Sequence, residues 1–201
     1  MCGRFENKVT LESILDILIK EGLDAEIFQD EPEKKPAKVN IPPGSRIISI
    51  SKPEKKHLVR NVNWGIKFSD SSPLIFNSRI ETIKEKKFWW NLLNKNRAVI
   101  PMTAFYEWKK EKTGKQPYRI FLPGQDIFYV PALYHKKEEN IFASLVTTSP
   151  NKFIKQVHHR MPVIFDLKSA ANFLSADVKD ATEMCRPYSD KKKMEMEAVD
   201  L

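Results

Sequence analysis

Short runs of residues that favour β-strands recur along this chain and restrict the folds it can adopt. They are Arg46 to Ile50, Leu58 to Trp64, Ala98 to Ile100, Ala104 to Lys109, Tyr118 to Leu122, Ile127 to Leu133, Ile141 to Thr147 and Pro162 to Phe165. The runs do not alternate regularly with helical segments, as a doubly wound parallel sheet would require. The pattern therefore predicts an α+β fold with a strongly bent, mostly antiparallel sheet or an open β-barrel-like core.

A few helical patterns predict helices that flank this sheet. Thr10 can cap a helix that runs to about Lys20, because apolar residues recur there at helical spacing. Two more helical stretches are expected around Glu81 to Asn94 and Leu167 to Leu174. Several prolines in residues 29–45 predict a loop, since proline supplies no backbone donor and fixes its own φ.

The length of 201 residues suits a single domain. We expect that domain to span residues 1–190, and the polar residues 191–201 to form a frayed C-terminal tail. No apolar run reaches about 18 residues, so no membrane-spanning helix is expected. The first residues, MCGRFENK, lack the apolar core of a secretory signal. A cytoplasmic protein is expected, associated with the nucleoid, or a nuclear one in a eukaryote.

The chain carries excess positive charge, with 34 lysines and arginines against 26 acidic residues and a formal net charge of +8. A basic protein accumulates near polyanions, so nucleic acid is a plausible partner. Much of the excess lies in lysine runs that are typical of a solvated surface, so charge alone does not identify the partner. There is no glycine-rich phosphate loop, and no cofactor is expected.

Cys2 could carry chemistry that an internal cysteine lacks. A small residue after Met1 allows methionine removal, which would leave an α-amine and a thiol on adjacent carbons. Such an amine condenses with an aldehyde to an imine, and the thiol then closes a five-membered thiazolidine ring. Their reference pKa values, about 7.7–8.0 and about 8.5, leave both nucleophiles partly available at neutral pH. The motif alone leaves open that Cys2 is incidental, while Cys185 is expected to be a small buried apolar residue.

Two polar motifs are candidates for binding or proton transfer. Asn77 offers a donor and acceptors, and Arg79 offers a planar fork suited to phosphate, although a turn asparagine and a surface arginine would explain them equally. Glu107 stands among aromatic residues in a β-type run. Burial would raise its pKa and suit it to proton transfer, whereas strand alternation could instead point it outward.

The segment His158-His159-Arg160 is a third candidate, because histidine transfers protons near neutral pH. Adjacent side chains are expected to diverge, and no cysteine pair or carboxylate lies at ligand spacing nearby, so no metal site is expected. Four tryptophans could include platforms for stacking bases, although most aromatic residues belong to cores.

Together and in this order, the motifs resemble those of the SOS-response-associated peptidase (SRAP) family, also described as abasic-site processing or shield proteins. The matching segments are MCGRF at the start, VNIPP around Asn40, NWG at 63–65, NSRIET at 77–82, IPMTAFYEW at 100–108, QPY at 116–118, TTSPN at 147–151 and HHRMPV at 158–163. Two positions depart from the family pattern. His159 stands where an acidic residue is usual, and Ala104 stands where glycine is usual.

The resemblance implies a single-stranded DNA partner that contains abasic sites, and a monomer is expected. The implied catalytic residues are Cys2, Asn77, Glu107 and His158. The implied DNA-binding residues are Arg4, Asn40, Trp64, Arg79 and Arg160. Cys2 would form a thiazolidine with the ring-opened sugar aldehyde, while Asn77 would hold the Cys2 terminus or the sugar. Glu107 and His158 would move protons.

The implied DNA contacts divide by chemistry. The three arginines would contact phosphates, and Trp64 would support a splayed strand. Asn40 would be a neighbour of the active site. Two other functions remain open: a cysteine-type peptidase that acts on its own N-terminus or on other proteins, and a non-covalent module for single-stranded DNA.

Overall fold

The computed structural model describes residues 3–28, 39–112 and 114–201, which form twelve strands and six helices. The strands are β1 (Arg4–Glu6), β2 (Ala25–Ile27), β3 (Arg46–Ser51), β4 (His57–Trp64), β5 (Asn77–Arg79), β6 (Arg97–Met102), β7 (Ala104–Glu111), β8 (Gly114–Phe121), β9 (Phe128–Lys137), β10 (Asn140–Thr148), β11 (Met161–Pro162) and β12 (Glu195–Ala198). The helices are α1 (Leu11–Lys20), α2 (Ile80–Glu85), α3 (Lys87–Lys95), α4 (Lys152–Lys155), α5 (Leu167–Ser175) and α6 (Val178–Met184).

A ring of five strands forms the centre of the molecule. Antiparallel pairing joins β4, β3, β6, β9 and β10 in that order. Parallel pairing between β10 and β4 then closes the ring, with Phe142 opposite Asn63 and Ala143 opposite Trp64. The predicted α+β fold with a barrel-like core is confirmed.

Apolar side chains occupy most of the interior of the ring and also cover its outer surface. Val62, Ala132 and Leu145 belong to the interior cluster. The alternate face of the strands packs against the helices in a second cluster, which includes Ile50 and the α5 residue Phe173. Both faces of the ring strands are covered. Their sequences therefore contain runs of apolar residues more than a strict alternation of apolar and polar residues.

A second sheet, in the order β1-β7-β8-β12, continues from β6 through β7. The frayed tail expected after residue 190 is corrected here. Glu195 to Ala198 pair with β8, and Val199 donates a hydrogen bond to the carbonyl oxygen of Pro117. Met194 is buried just before the strand, so one apolar side chain anchors this otherwise polar segment.

The predicted helices are confirmed with one interruption. Thr10 caps α1 with a reciprocal pair of hydrogen bonds to Ser13. The stretch predicted at Glu81 to Asn94 is divided into α2 and α3, because the backbone at Lys86 is extended. This break lets Ile83 and Trp89 enter the same core cluster. No helix in the described part of the chain is long and apolar enough to span a membrane.

A buried ion pair ties β1 to the rest of its sheet. Glu6 is buried and accepts hydrogen bonds from Arg119 at 3.0 and 3.2 Å and from the Thr103 hydroxyl at 2.7 Å. Burial alone would raise the pKa of this carboxyl. The hydrogen bonds outweigh burial and lower the pKa from 4.5 to about 2.

Glu6 is therefore expected to make the free energy of unfolding depend on pH. Its folded pKa lies below its unfolded pKa, so its contribution of about 3 kcal/mol is present above pH 4.5 and is lost as the pH falls towards 2. Urea unfolding of Glu6→Gln should show a deficit at pH 7 that shrinks near pH 2. Glu26→Gln, which removes an exposed pair with Lys56, should cost little at either pH. A deficit for Glu6→Gln that is unchanged near pH 2 would contradict this role for its charge.

Candidate functional site

Two segments with predicted site residues flank the end of β10. β5 runs parallel to β10, with Asn77 opposite Leu145 and Arg79 opposite Thr147. β11, which follows His158 and Arg160, pairs antiparallel with β10 at Thr147 and Thr148. The fold thus brings two motifs together that are about 80 residues apart in the sequence. Asn77 is half-buried within a strand, so a turn asparagine is excluded, whereas Arg79 is exposed.

Arg160 holds the two segments together. Its guanidinium donates to both carboxylate oxygens of Glu81, at 3.0 and 2.9 Å, and to the carbonyl oxygen of Thr147 at 2.8 Å. Burial would raise the pKa of Glu81, but the hydrogen bond from Arg160 lowers it overall. Arg160 is only 8% exposed. In this structure the guanidinium of Arg160 is bound to Glu81 and Thr147, and its contact with a phosphate stays a prediction.

His158 is held in an orientation set by the backbone. Its Nδ1 lies 3.0 Å from the amide nitrogen and 3.2 Å from the carbonyl oxygen of Arg160. Because the amide N–H can only donate, the shorter contact favours the tautomer in which Nδ1 accepts and Nε2 carries the proton. Burial is the largest cause that lowers its pKa to about 4, so the ring is neutral at pH 7. His158 is thus suited to donate a hydrogen bond through Nε2.

The two histidine rings do not diverge as expected. His158 and His159 stack with centroids 4.3 Å apart and planes at 28°, because the chain between α4 and β11 is neither helix nor strand. Within residues 3–28, 39–112 and 114–201, no group of three or more histidine, cysteine, aspartate or glutamate residues is arranged to hold a metal ion.

A second group of predicted residues lies where β1 pairs with β7. Arg4 stands opposite Tyr106, the residue before Glu107. Arg4 also donates through Nη1 to Oδ1 of Asn40 at 3.1 Å. Asn40 adopts φ 55°, a left-handed conformation that asparagine tolerates better than most residues.

Glu107 is buried, which decides between the two orientations that the sequence left open. It is 2% exposed, and burial raises its pKa from 4.5 to about 7. The neighbouring Tyr106 is also buried, because both faces of β7 are covered at this point. A carboxyl with a pKa near 7 can give or take a proton at physiological pH, which suits general acid or base catalysis.

Trp64 connects the two groups of site residues. Its ring contacts Phe5 and Phe76 edge to face, with centroid distances of 5.0 and 5.9 Å. Its Nε1 donates to the carbonyl oxygen of Phe76 at 2.9 Å. Phe5 follows Arg4 and Phe76 precedes Asn77, so the indole sets the spacing between β1 and β5. Trp64 is fully buried, so its ring packs against protein side chains in this structure, and its role in supporting a DNA strand stays a prediction.

Some residues were found only in the structure. Glu81 lies inside the segment NSRIET, and its charge is opposite to that of Arg160. An ion pair between these two residues could therefore have been suspected from the sequence. Glu6 gave no sequence signal, because its partner Arg119 is distant in the chain. Cys2 lies outside the described residues. Cys185 is buried as expected, and burial raises the pKa of its thiol to about 12.

Comparison with known proteins gives a consistent set of relatives. The model of a family described as SOS response associated peptidase (SRAP) matches residues 1–201. Abasic site processing protein YoaM of Bacillus subtilis is 33% identical over 175 residues, which cover 82% of this chain and 74% of that protein. Abasic site processing protein YedK of Escherichia coli is 29% identical over 192 residues, which cover 92% and 85%.

Solved structures share the fold at lower identity. A crystal structure of a Bacteroides thetaiotaomicron protein has a TM-score of 0.80 and 20% identity, covering 99% of this chain and 92% of that one. A Bordetella bronchiseptica protein has a TM-score of 0.78 and 17% identity, covering 100% of both chains. These two likenesses establish the shared architecture alone.

Proposed function

The chain belongs to the SOS response associated peptidase (SRAP) family, and from this premise we propose that it processes abasic sites in DNA. Several relatives carry that activity in their names. More specifically, we propose that Cys2 becomes N-terminal after Met1 is removed and forms a covalent thiazolidine with the abasic sugar in single-stranded DNA.

The observation that carries this proposal is the position of Glu107. β1 enters its sheet at Arg4, opposite the residue before Glu107. Two peptide bonds separate Cys2 from Arg4, so covalent geometry keeps their Cα atoms within about 7 Å. A buried carboxyl with a pKa of about 7 therefore stands on the strand beside which the chain begins.

The proposed reaction has three steps. First, Glu107 accepts the proton of the sugar's C1′ hydroxyl as the bond between C1′ and O4′ breaks, and O4′ gains a proton, which exposes the aldehyde. Next, the Cys2 amine adds to the aldehyde and water leaves, giving an imine. Finally, the thiol sulfur adds to the imine carbon and its proton passes to the nitrogen. Overall, one water is lost and no bond to the DNA backbone breaks.

Asn77 and His158 have supporting roles in this proposal. The amide of Asn77 can accept from the ammonium or donate to a sugar oxygen. His158 is neutral at pH 7 and can donate from Nε2 to an oxygen of the lesion, including O4′ as it leaves. A histidine with a pKa of about 4 is a weak base, so we do not favour a peptidase that relies on His158 to activate Cys2.

Intact mass spectrometry before and after incubation with single-stranded abasic DNA tests the proposal. The purified chain should lack Met1, and the product should weigh as much as protein plus oligonucleotide minus one water. The product should survive heat and denaturant. An adduct on a chain that retains Met1 would refute the thiazolidine, since the cysteine nitrogen would then be an amide. Turnover of a foreign peptide would favour the peptidase instead.

Arg79 is the exposed arginine that we propose contacts a phosphate. Arg79→Gln should weaken binding to undamaged single-stranded DNA and reduce the slope of log K against log salt by about 0.7, the value for one phosphate. Fluorescence anisotropy at several salt concentrations measures both. Arg186→Gln, an equal charge change at an exposed site after α6, should leave the slope unchanged. Equal effects of the two substitutions would indicate attraction by net charge alone.

Phe68 is the aromatic residue that we propose stacks on a base. It is 54% exposed, and its ring is braced edge to face by Phe88 at 4.9 Å. A braced, exposed ring loses little entropy when a base stacks on it. This contact would favour single strands, because their bases are accessible.

A further inference from the structure

One end of the strand ring is not filled by side chains. A cavity of about 170 Å³ opens there. Its apolar walls are formed by Val62, Ala98, Ile141 and Ala143. Ser49 and Ser51, on β3, are small, so the wall between β4 and β6 does not fill the space. Ligands often bind at the mouths of β-barrels, so this unfilled end is a candidate ligand site.

The cavity lies at the opposite end of the ring from the candidate functional site. β10 begins at Asn140 beside the cavity and ends at Thr148, where the Asn77 and His158 segments meet it. The interior side chains of Trp64 and Leu145 lie between the two ends. A ligand in the cavity would therefore not touch the residues proposed to act on DNA.

Cationic and hydroxyl groups line the mouth of this cavity. Arg60, Tyr134 and Lys136 border it. Nε of Arg60 is buried and has no hydrogen-bond partner, and the guanidinium lies 4.4 Å from the centre of the Phe28 ring. In the described part of the chain, no carboxylate pairs with Arg60. A guanidinium beside a cavity, with no carboxylate partner among the described residues, is suited to bind an anion that enters the cavity.

The Tyr134 hydroxyl lies close enough to Arg60 for the positive charge to affect its pKa. Burial raises the pKa of its hydroxyl, and the positive charge of Arg60 acts in the opposite direction. The hydroxyl is thus a neutral donor at physiological pH. An anion at the mouth could receive hydrogen bonds from a guanidinium and a phenol, with the Lys136 ammonium at the exposed rim.

We propose that this end of the ring binds a small organic monocarboxylate, with its carboxylate at Arg60 and Tyr134 and its apolar body between Val62, Ala98 and Ala143. The planar guanidinium matches a carboxylate in shape. A dry cavity of about 150 Å³ is enough for benzene. The volume here suits an acid about the size of benzoate and excludes a nucleotide.

Titration of the ¹⁵N-labelled full chain with benzoate, followed by amide chemical shifts, tests the proposal. We expect saturable shifts at Arg60, Ala98 and Tyr134 at millimolar ligand or below, and none at Asn77 or His158. Benzyl alcohol, which has the same ring without the charge, should bind at least about 10-fold more weakly.

Two variants and a control locate the site. Arg60→Gln should weaken benzoate binding about 10- to 100-fold, as expected for the loss of a charged donor. Ala98→Leu should abolish binding by filling the cavity, and it keeps the test decisive if Arg60→Gln does not fold. Lys52 precedes the lining residue Pro53, and its ammonium donates to the Ser175 hydroxyl at 3.0 Å. Lys52→Gln therefore makes the same charge change outside the lining and should bind benzoate normally. Non-saturable shifts, equal binding of benzyl alcohol, or unchanged binding by folded Arg60→Gln or Ala98→Leu would overturn the proposal.

Discussion

Replacing Cys2 with alanine is expected to abolish the stable adduct with abasic DNA completely. The variant keeps an N-terminal amine but has no sulfur to close the ring, so the reaction stops at an imine that water reverses. Non-covalent binding should persist, since the exposed arginine and the net positive charge are unchanged. Denaturing gels of the protein with abasic single strands measure the first effect, and anisotropy measures the second.

The chain supplies a matched control for Cys2 in its other cysteine. Cys185 is buried at the end of α6, and its thiol donates to the carbonyl oxygen of Ala181 at 3.3 Å. With a thiol pKa of about 12, it is not nucleophilic at neutral pH. Cys185→Ala should therefore form the adduct at the normal rate. A heat-stable adduct with Cys2→Ala would refute the thiazolidine.

Serine at position 2 separates ring closure from imine formation. Cys2→Ser retains an amine and a neighbouring hydroxyl, which is a much weaker nucleophile than a thiol. Borohydride should trap its imine on abasic DNA, while untreated samples should lose the linkage on heating. Failure of borohydride to trap any product would show that the amine is not the group that attacks the aldehyde.

Replacing Glu107 with glutamine is expected to slow adduct formation about 100- to 10,000-fold, the usual contribution of a positioned acid or base. DNA affinity should change little, because the substitution keeps the shape of this buried side chain and leaves the proposed phosphate contact at Arg79 in place. Single-turnover rates at saturating DNA isolate the chemical step. Glu111→Gln, at the exposed end of the same strand, is the control and should react normally. Equal losses of rate and affinity in Glu107→Gln would argue against proton transfer.

The pH dependence should identify Glu107 as the titrating group. With a pKa of about 7, it holds its proton below neutrality and releases it above. A plot of the wild-type log rate against pH is expected to change slope near pH 7, and this change should be absent in Glu107→Gln. A change of slope that persists in the variant would assign the titration to another group.

Glu107 should also lower stability at alkaline pH. The folded protein binds this proton more tightly than the unfolded chain, so stability falls as the pH rises from about 4.5 to 7. The shift corresponds to about 3 kcal/mol. Urea unfolding should therefore find Glu107→Gln more stable than the wild type at pH 8 and similar to it near pH 4. A variant that is less stable at pH 8 would show that the carboxylate is structural.

Local features of the fold were predictable where neighbours in sequence decide them. Thr10 and its capping partner lie three residues apart, so the start of α1 was evident. The break at Lys86 was not, because burial of Ile83 and Trp89 in one core decides it. Likewise, β5 and β11 are too short to show alternation and exist because β10 supplies their hydrogen bonds.

Residue identity indicated candidate site residues but not how they are placed. The aromatic surroundings of Glu107 left burial and an outward orientation open, and the structure shows that it is buried. The DNA-binding roles of Trp64 and Arg160 were implied by the family resemblance. Both residues are buried by partners distant in sequence, which single-sequence patterns do not reveal.

The parallel pairing of β10 with β4 has a consequence for the timing of synthesis. It joins Phe142 to Asn63, and the same strand β10 supplies the pairing partners of the Asn77 and His158 segments. A ribosome therefore exposes the amino terminus long before it makes the residues that complete its surroundings. On the proposed function, a Cys2 amine freed during translation would meet cellular aldehydes unaided, and selectivity for abasic DNA would be acquired only once the last third of the polypeptide has emerged.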